Sequence, residues 1–237
     1  MIEEEIPYKH GILVFSGYVS TRLFIVILFT VSLGRLFDLS HDDQLLIEAY
    51  AGIFGEALAA CVAWLLVSTY YEFRKNDVGK LALGLTAVSL RQVMSSILGG
   101  FSLAASIIVI GIWFPSQATG GASALDIYTT NGATLRYLWL VVGIFVAPFV
   151  EELLFRGIVF STITSHFNVF LGAMASIMLF MLVHLPQVNH GWHSAMAILA
   201  LGVTCTFIRV KDGSLWTAIV IHASYNMYLT LWVIISP

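Results

Sequence analysis

Charge is what this chain has least of. Only 11% of its 237 residues are Asp, Glu, Lys or Arg, whereas 59% are hydrophobic. Soluble domains are about 25% charged and about 45–50% apolar. The deficit excludes an ordinary water-soluble protein and leaves an all-α, polytopic membrane protein, one integral membrane domain over residues 1–237. Basic residues are equally scarce. With a formal net charge of −3 and no clustered basic face, the chain has no nucleic-acid footprint. Two cysteines, Cys61 and Cys205, both in apolar runs, are too few for a disulfide framework and read as small buried apolar residues. The start, MIEEEIPYKHG, lacks the basic region of a signal peptide, so the first apolar segment is expected to remain as a span. There is no internal repeat and no low-complexity segment.

What is present is a series of apolar runs near the length needed to cross a bilayer, about 20 residues. Seven spans are expected, over 18–37, 49–71, 93–114, 137–160, 167–185, 193–209 and 214–235. Arg22 and Arg35 lie near the ends of the first, where long side chains snorkel. Residues 72–92 read as a charged loop and a short interfacial helix. Residues 115–135, rich in Gly, Ser and Thr, read as the longest loop. Arg74, Lys75, Lys80 and Arg91 place the 72–92 loop in the cytoplasm, as Arg209 and Lys211 do for the turn near 210. The N-terminus is then expected inside and the C-terminus outside.

Ionisable residues inside such spans are the candidates for function. Glu56, alone in the second span, reads as a protonated or lumen-facing carboxyl. The rest fall in the last 90 residues. In the fourth span, FVEELLFRG sets Glu151 and Glu152 about 100° apart around a helix. Arg156, four residues after Glu152, shares its face. Glu152 is therefore expected to pair with Arg156 as a clamp, leaving Glu151 free to point into the bundle. Adjacent carboxylates repel in low dielectric, and a carboxylate able to take a proton near neutral pH suits a general base. Pro148 removes the backbone bond to residue 144 and so can kink the helix or open a polar pocket.

In the fifth span Phe180 precedes His184 by one turn, and Pro186 should end the helix. In the seventh, His222 and Asn226 stack at i, i+4. Taken singly, these groups also suit a structural ion network, an interfacial histidine and a helix–helix hydrogen bond. Taken together, they supply a base and hydrogen-bond donors from three helices. Water activated by Glu151 could attack a carbonyl, His222 and Asn226 could stabilise the oxyanion, and His184 could orient the water or protonate the leaving amine. Zinc held by two histidines and a glutamate is the competing chemistry. Against it, no HExxH is present, and His190 and His193 read as incidental.

The order EExxxR, FxxxH, HxxxN resembles the CAAX-protease and bacteriocin-processing family of intramembrane glutamate-dependent endopeptidases, over residues 137–230; residues 1–130 carry no motif. The resemblance implies a helical bundle with a conical, water-accessible cavity. It implies that Glu151, assisted by His184, activates water, that His222 and Asn226 form the oxyanion site, and that Glu152 and Arg156 support them, with no metal or other cofactor. It also implies a protein or peptide substrate with a membrane-associated, possibly lipidated, C-terminal segment, a membrane-lipid environment and, for a prokaryotic member, the inner membrane. Other readings are a non-catalytic immunity or binding protein of the same fold, a zinc-dependent protease and, against the lack of an inverted repeat, an ion-coupled transporter. Depth sets one difficulty. At 1.5 Å per residue, Glu151 and His222 fall at matching depths, but counting from Phe167 puts His184 roughly 25 Å up, near the outer face.

Overall fold

The computed structural model describes residues 8–36, 41–70, 83–114, 132–188 and 191–235. These form α1 (Tyr8–Leu36), α2 (His41–Tyr70), α3 (Leu90–Trp113), α4 (Ala133–His166), α5 (Val169–Val183), α6 (Leu185–Val188), α7 (Trp192–Asp212) and α8 (Leu215–Ile235). Among the described residues there is no strand. Six helices are long and apolar enough to cross a membrane, and α5 is a shorter apolar helix. Large apolar side chains lie on the outside, among them Leu90, Trp113, Phe145, Phe170 and Leu182. Glu56, Glu151, Glu152, Arg156, Arg209 and His222 lie inside. A water-soluble protein has the reverse arrangement; this one is an integral, multi-pass membrane protein.

Several boundaries differ from the expected spans, and the differences move the functional groups. The first apolar span runs over Lys9–Phe29, so Arg22 is mid-helix rather than near an end. Helix α2 begins at His41, before the second span that is expected to start at 49. Residues 83–89 are a turn and extended chain that lead to α3, where Ser89 and Gln92 form a capping box. The earlier part of the expected loop and interfacial helix, 71–82, lies outside the described residues, as do 1–7, most of the 115–135 loop and His190. Cys61 is exposed, contrary to expectation, whereas Cys205 is buried.

Two close approaches hold the helices that matter most. Ser96, Gly100 and Ala104 are the buried face of α3, spaced by four residues on one side. A Cβ on Gly100 would collide with the Ile221 carbonyl and sit 2.8 Å from the Ser224 Cβ on α8. Small residues here let α3 and α8 pack backbone to backbone, as membrane helices do when no hydrophobic drive joins them. Gly172 does the same for α4 and α5. A Cβ there would collide with Thr164 Oγ1 and lie 2.9 Å from the Phe160 carbonyl.

Candidate active site

Helix α4 carries the two glutamates and departs from α geometry twice, over Val142–Val146 and Leu153–Val159, where it widens into π turns. Pro148 explains the consequence of the first. The Ala147 N–H bonds to the Val142 carbonyl, so it does not serve Gly143, its α partner. The next backbone nitrogen in reach belongs to Pro148, which has no hydrogen. The Gly143 carbonyl therefore needs a donor from elsewhere, and Asn226 Nδ2 supplies it at 2.8 Å from α8. The proline opens a polar pocket without stopping the helix.

Glu151 and Glu152 diverge as helical geometry requires. Glu152 Oε1 accepts from Arg156 NH1 at 2.9 Å. The guanidinium also donates from Nε to Thr206 Oγ1 at 3.2 Å and from NH2 to the Gly202 carbonyl at 2.8 Å. It lies 4.6 Å from the Phe180 ring centroid. Neither Glu152 nor Arg156 is exposed at all. A bare charge so buried would be prohibitive; this one is paired and hydrogen-bonded on several sides.

Glu152 has a second partner. His222 Nδ1 lies 2.8 Å from the same Oε1. A carboxylate only accepts, so Nδ1 carries the hydrogen and Nε2 points onward, 3.8 Å from Glu151 Oε2. His184 repeats the arrangement from the end of α5. Its Nδ1 is 2.8 Å from the Phe180 carbonyl, so Nδ1 again donates, and Nε2 faces Glu151 Oε2 at 3.6 Å. Two imidazoles thus turn Nε2 toward one oxygen of Glu151, as a lone pair when the ring is neutral and as a donor when it is protonated. Acceptors cannot bond to one another, so the three groups need a proton among them, on Glu151, on an imidazole, or from a water that sits beside them in the cavity.

The depth problem for His184 is resolved by the length of α4. It runs 34 residues, to His166, roughly 50 Å against a hydrocarbon core of about 30 Å. It is therefore longer than the core requires, and α5 starts where it ends. Glu151 is 15 residues before His166, and His184 is 15 after Val169. The two arms of the hairpin bring both groups to one level. The fourth span was expected to end near 160, which displaced His184 toward the outer face.

These groups line a cavity of about 320 Å³ shared by Glu151, His184, His222 and Asn226, with Gln187 of α6 and Ser194 of α7. The cavity is also lined by Arg22, which the sequence places near the end of a span, and by Glu56, which it reads as a lone carboxyl. Arg22 Nε is 3.2 Å from Glu56 Oε2, and Tyr18 donates to Glu56 Oε1 at 2.6 Å. Glu56 is thus ion-paired, not an isolated carboxyl. A sequence signal existed. An acid and an arginine in consecutive apolar helices with a short connection are expected to find each other.

Metal binding meets a specific obstacle. Among the described residues, the group whose ligand atoms lie within 4.8 Å of one another is Glu152, Cys205 and His222. Arg156, permanently cationic, already occupies the Glu152 oxygen, so a dication would meet like charge. Glu151, His184 and His222 do not form such a group. His193, from the histidine pair set aside above, points its Nε2 at the Phe114 carbonyl.

An all-helical membrane bundle with a glutamate, two histidines and an asparagine around one internal cavity is the class that fold and site define. Residues 133–228 match the family described as "Type II CAAX prenyl endopeptidase Rce1-like". A Bacillus subtilis (strain 168) protein named "Putative membrane peptidase YdiL" is 27% identical over 94 residues, which are 40% of this chain and 36% of that protein. Together these support the CAAX-protease family for this chain, through its C-terminal helices. The matched region spans little more than a third of the relative's length. No solved structure matches the chain.

Proposed function

We propose that this protein is an intramembrane endopeptidase in which Glu151 activates water to cleave a peptide bond of a membrane-associated protein near its C-terminus. The observation that carries this reading is the contrast between the two glutamates. Glu152 is committed to Arg156 and His222, whereas Glu151 lines the cavity with one carboxyl oxygen 3.6 Å from His184 Nε2 and 3.8 Å from His222 Nε2. A water held there gives its proton to Glu151 as its oxygen adds to the scissile carbonyl carbon. Glu151 then returns the proton to the departing amine as the C–N bond breaks. His184, with Nδ1 committed to Phe180, accepts from the water and aims it.

Asn226 and His222 face the oxyanion. Asn226 has two N–H bonds, and one holds the Gly143 carbonyl. His222 donates through Nε2 only when both ring nitrogens carry hydrogen, and Glu152 is then its counter-ion, as the carboxylate is in a catalytic triad. The family's description as a prenyl endopeptidase supports a prenylated peptide as substrate, and the relative's name supports a peptidase working in a membrane; the reading extends to other lipid-anchored peptides and to the prokaryotic cytoplasmic membrane.

The deciding experiment is Glu151→Gln, which preserves shape and removes basicity. Turnover of a lipid-anchored peptide should fall by roughly 10²–10⁴-fold with an unchanged melting temperature. Full turnover by the purified variant would rule the mechanism out. A cellular phenotype that survives the substitution would favour a non-catalytic binding protein. Inhibition by chelators that is reversed by zinc would favour a metalloprotease.

A further inference from the structure

Among the described residues, three that line the cavity hold a buried polar atom without a hydrogen-bond partner: Arg22, Glu56 and Gln187. Arg22 and Glu56 are paired with each other. Gln187 is different, because no donor of the protein reaches its buried Oε1. An unmet buried acceptor is destabilising, and methionine or leucine would fill similar space without it. Only a group from outside the chain can satisfy it.

The position of this residue is specific. Gln187 follows His184 by three residues, on α6 (Leu185–Val188), where Pro186 sits in the first turn and needs no backbone hydrogen. His184 is itself anchored to the last turn of α5 by its backbone N–H and by Nδ1. A ligand gripped by Gln187 is therefore held by a group less than one helical turn of chain from the imidazole that faces Glu151.

The cavity also limits what that ligand offers. A peptide that leaves water for an enclosed, largely apolar space must find new partners for its backbone N–H and C=O groups, each costly if unmet. Several polar side chains of the wall are engaged with the protein itself. Trp139 donates to Thr230, Thr230 to the Asn226 carbonyl, and Asn226 to the Gly143 carbonyl. A carboxamide carries the same donor and acceptor as a peptide bond. Its terminal torsion is broad and roughly two-fold, so a small turn presents either end to the cavity. It is uncharged, and so it suits a backbone of any sequence.

We infer that Gln187 is a substrate-binding residue whose carboxamide hydrogen-bonds a backbone amide of the peptide beside the bond to be cut. This rests on the endopeptidase reading for the identity of the ligand as a peptide.

The test is a binding ratio. Full-length protein carrying Glu151→Gln is placed in lipid nanodiscs and mixed with pools of short peptides, each anchored by one S-farnesyl cysteine and randomised elsewhere. In each pool half of the peptides have one backbone amide replaced by an ester, which removes the N–H and weakens the carbonyl as an acceptor. Mass spectrometry of the retained peptides gives the amide-to-ester ratio for that position. At one position the amide should be enriched about fivefold, as for one neutral hydrogen bond. Adding Gln187→Met should bring that ratio close to one and leave the ratios at other positions unchanged. The melting temperature should not fall, because methionine leaves no acceptor unmet.

If Gln187→Met does not fold, Gln187→Asn, which withdraws the carboxamide by one methylene, should narrow the same ratio. Ratios near one at every position, or ratios that survive both substitutions, overturn the inference. So does a substitution that weakens retention of amides and esters alike, because the carboxamide then touches something other than the backbone. The ratios require no turnover. If the unsubstituted protein shows the Gln187-dependent ratio but cuts no peptide, the endopeptidase reading falls and backbone recognition stands. If it cuts, and Gln187→Met leaves both KM and kcat unchanged, the endopeptidase reading stands and the inference falls.

Discussion

Two glutamate–arginine pairs lie inside the bundle, one on the N-terminal hairpin and one within α4. In α4, Arg156 and Glu152 are wholly sealed, four residues apart on one helix, and each nitrogen of the guanidinium has a hydrogen-bond partner. In the hairpin, Glu56 and Arg22 come from different helices, and the arginine keeps a quarter of its side-chain surface. The first pair costs the most to desolvate and leaves no surface for a ligand; it fixes His222 and holds α4 to α7 through Gly202 and Thr206. The second is only partly buried and borders the cavity that Glu151 lines. Burial, rather than the presence of charge, makes the first a strut.

That contrast can be broken in four ways, taken from the largest expected effect downward. Arg156→Met strands Glu152 in a site with no exposure and should cost about 3–5 kcal/mol of stability. Thermal unfolding in detergent would read it, and Arg22→Met should cost less than half as much. Equal losses would erase the distinction. Asn226→Ala leaves the Gly143 carbonyl without its donor, which should cost about 1–3 kcal/mol, and kcat should fall roughly 10²-fold as an oxyanion contact is lost. A loss of stability without a loss of kcat would make Asn226 a strut as well. Gly100→Val pushes α8 away from α3 and should destabilise by about 1–3 kcal/mol. Because α8 carries His222 and Asn226, activity should fall further than unfolding alone explains when assayed well below the melting temperature. Tyr18→Phe removes one hydrogen bond to Glu56, about 1 kcal/mol, and thermal unfolding should show it as the smallest of the four losses.

Much of the C-terminal site was legible because local spacing carries it. The angle between Glu151 and Glu152, the i, i+4 pairing of Glu152 with Arg156, and the shared face of His222 and Asn226 follow from helical periodicity alone. The level of His184 did not, because hydropathy marks where a helix is apolar and not where it stops. Helix α4 continues through the polar run Ser161–His166, beyond any apolar window. Arg22 was misplaced for the same reason, since the first helix begins at Tyr8 and not near 18. The partners of Glu56 and the second partner of Glu152 are tertiary facts. A register along one helix says nothing about which neighbour's nitrogen arrives at 3 Å.

Pro148 shows how a residue with no polar atom to offer can still direct polar chemistry. By withholding one hydrogen from its own helix, it turns a backbone oxygen into a fixed address that a side chain on another helix must fill. The rotamer of Asn226 is thus set by an omission about one turn away from the oxygen it contacts. Restoring the missing hydrogen, as Pro148→Ala would, gives that oxygen a backbone partner again and makes the asparagine dispensable for satisfying it. The same carboxamide would then be free to swing, and the site would lose orientation while keeping every residue usually counted as part of it.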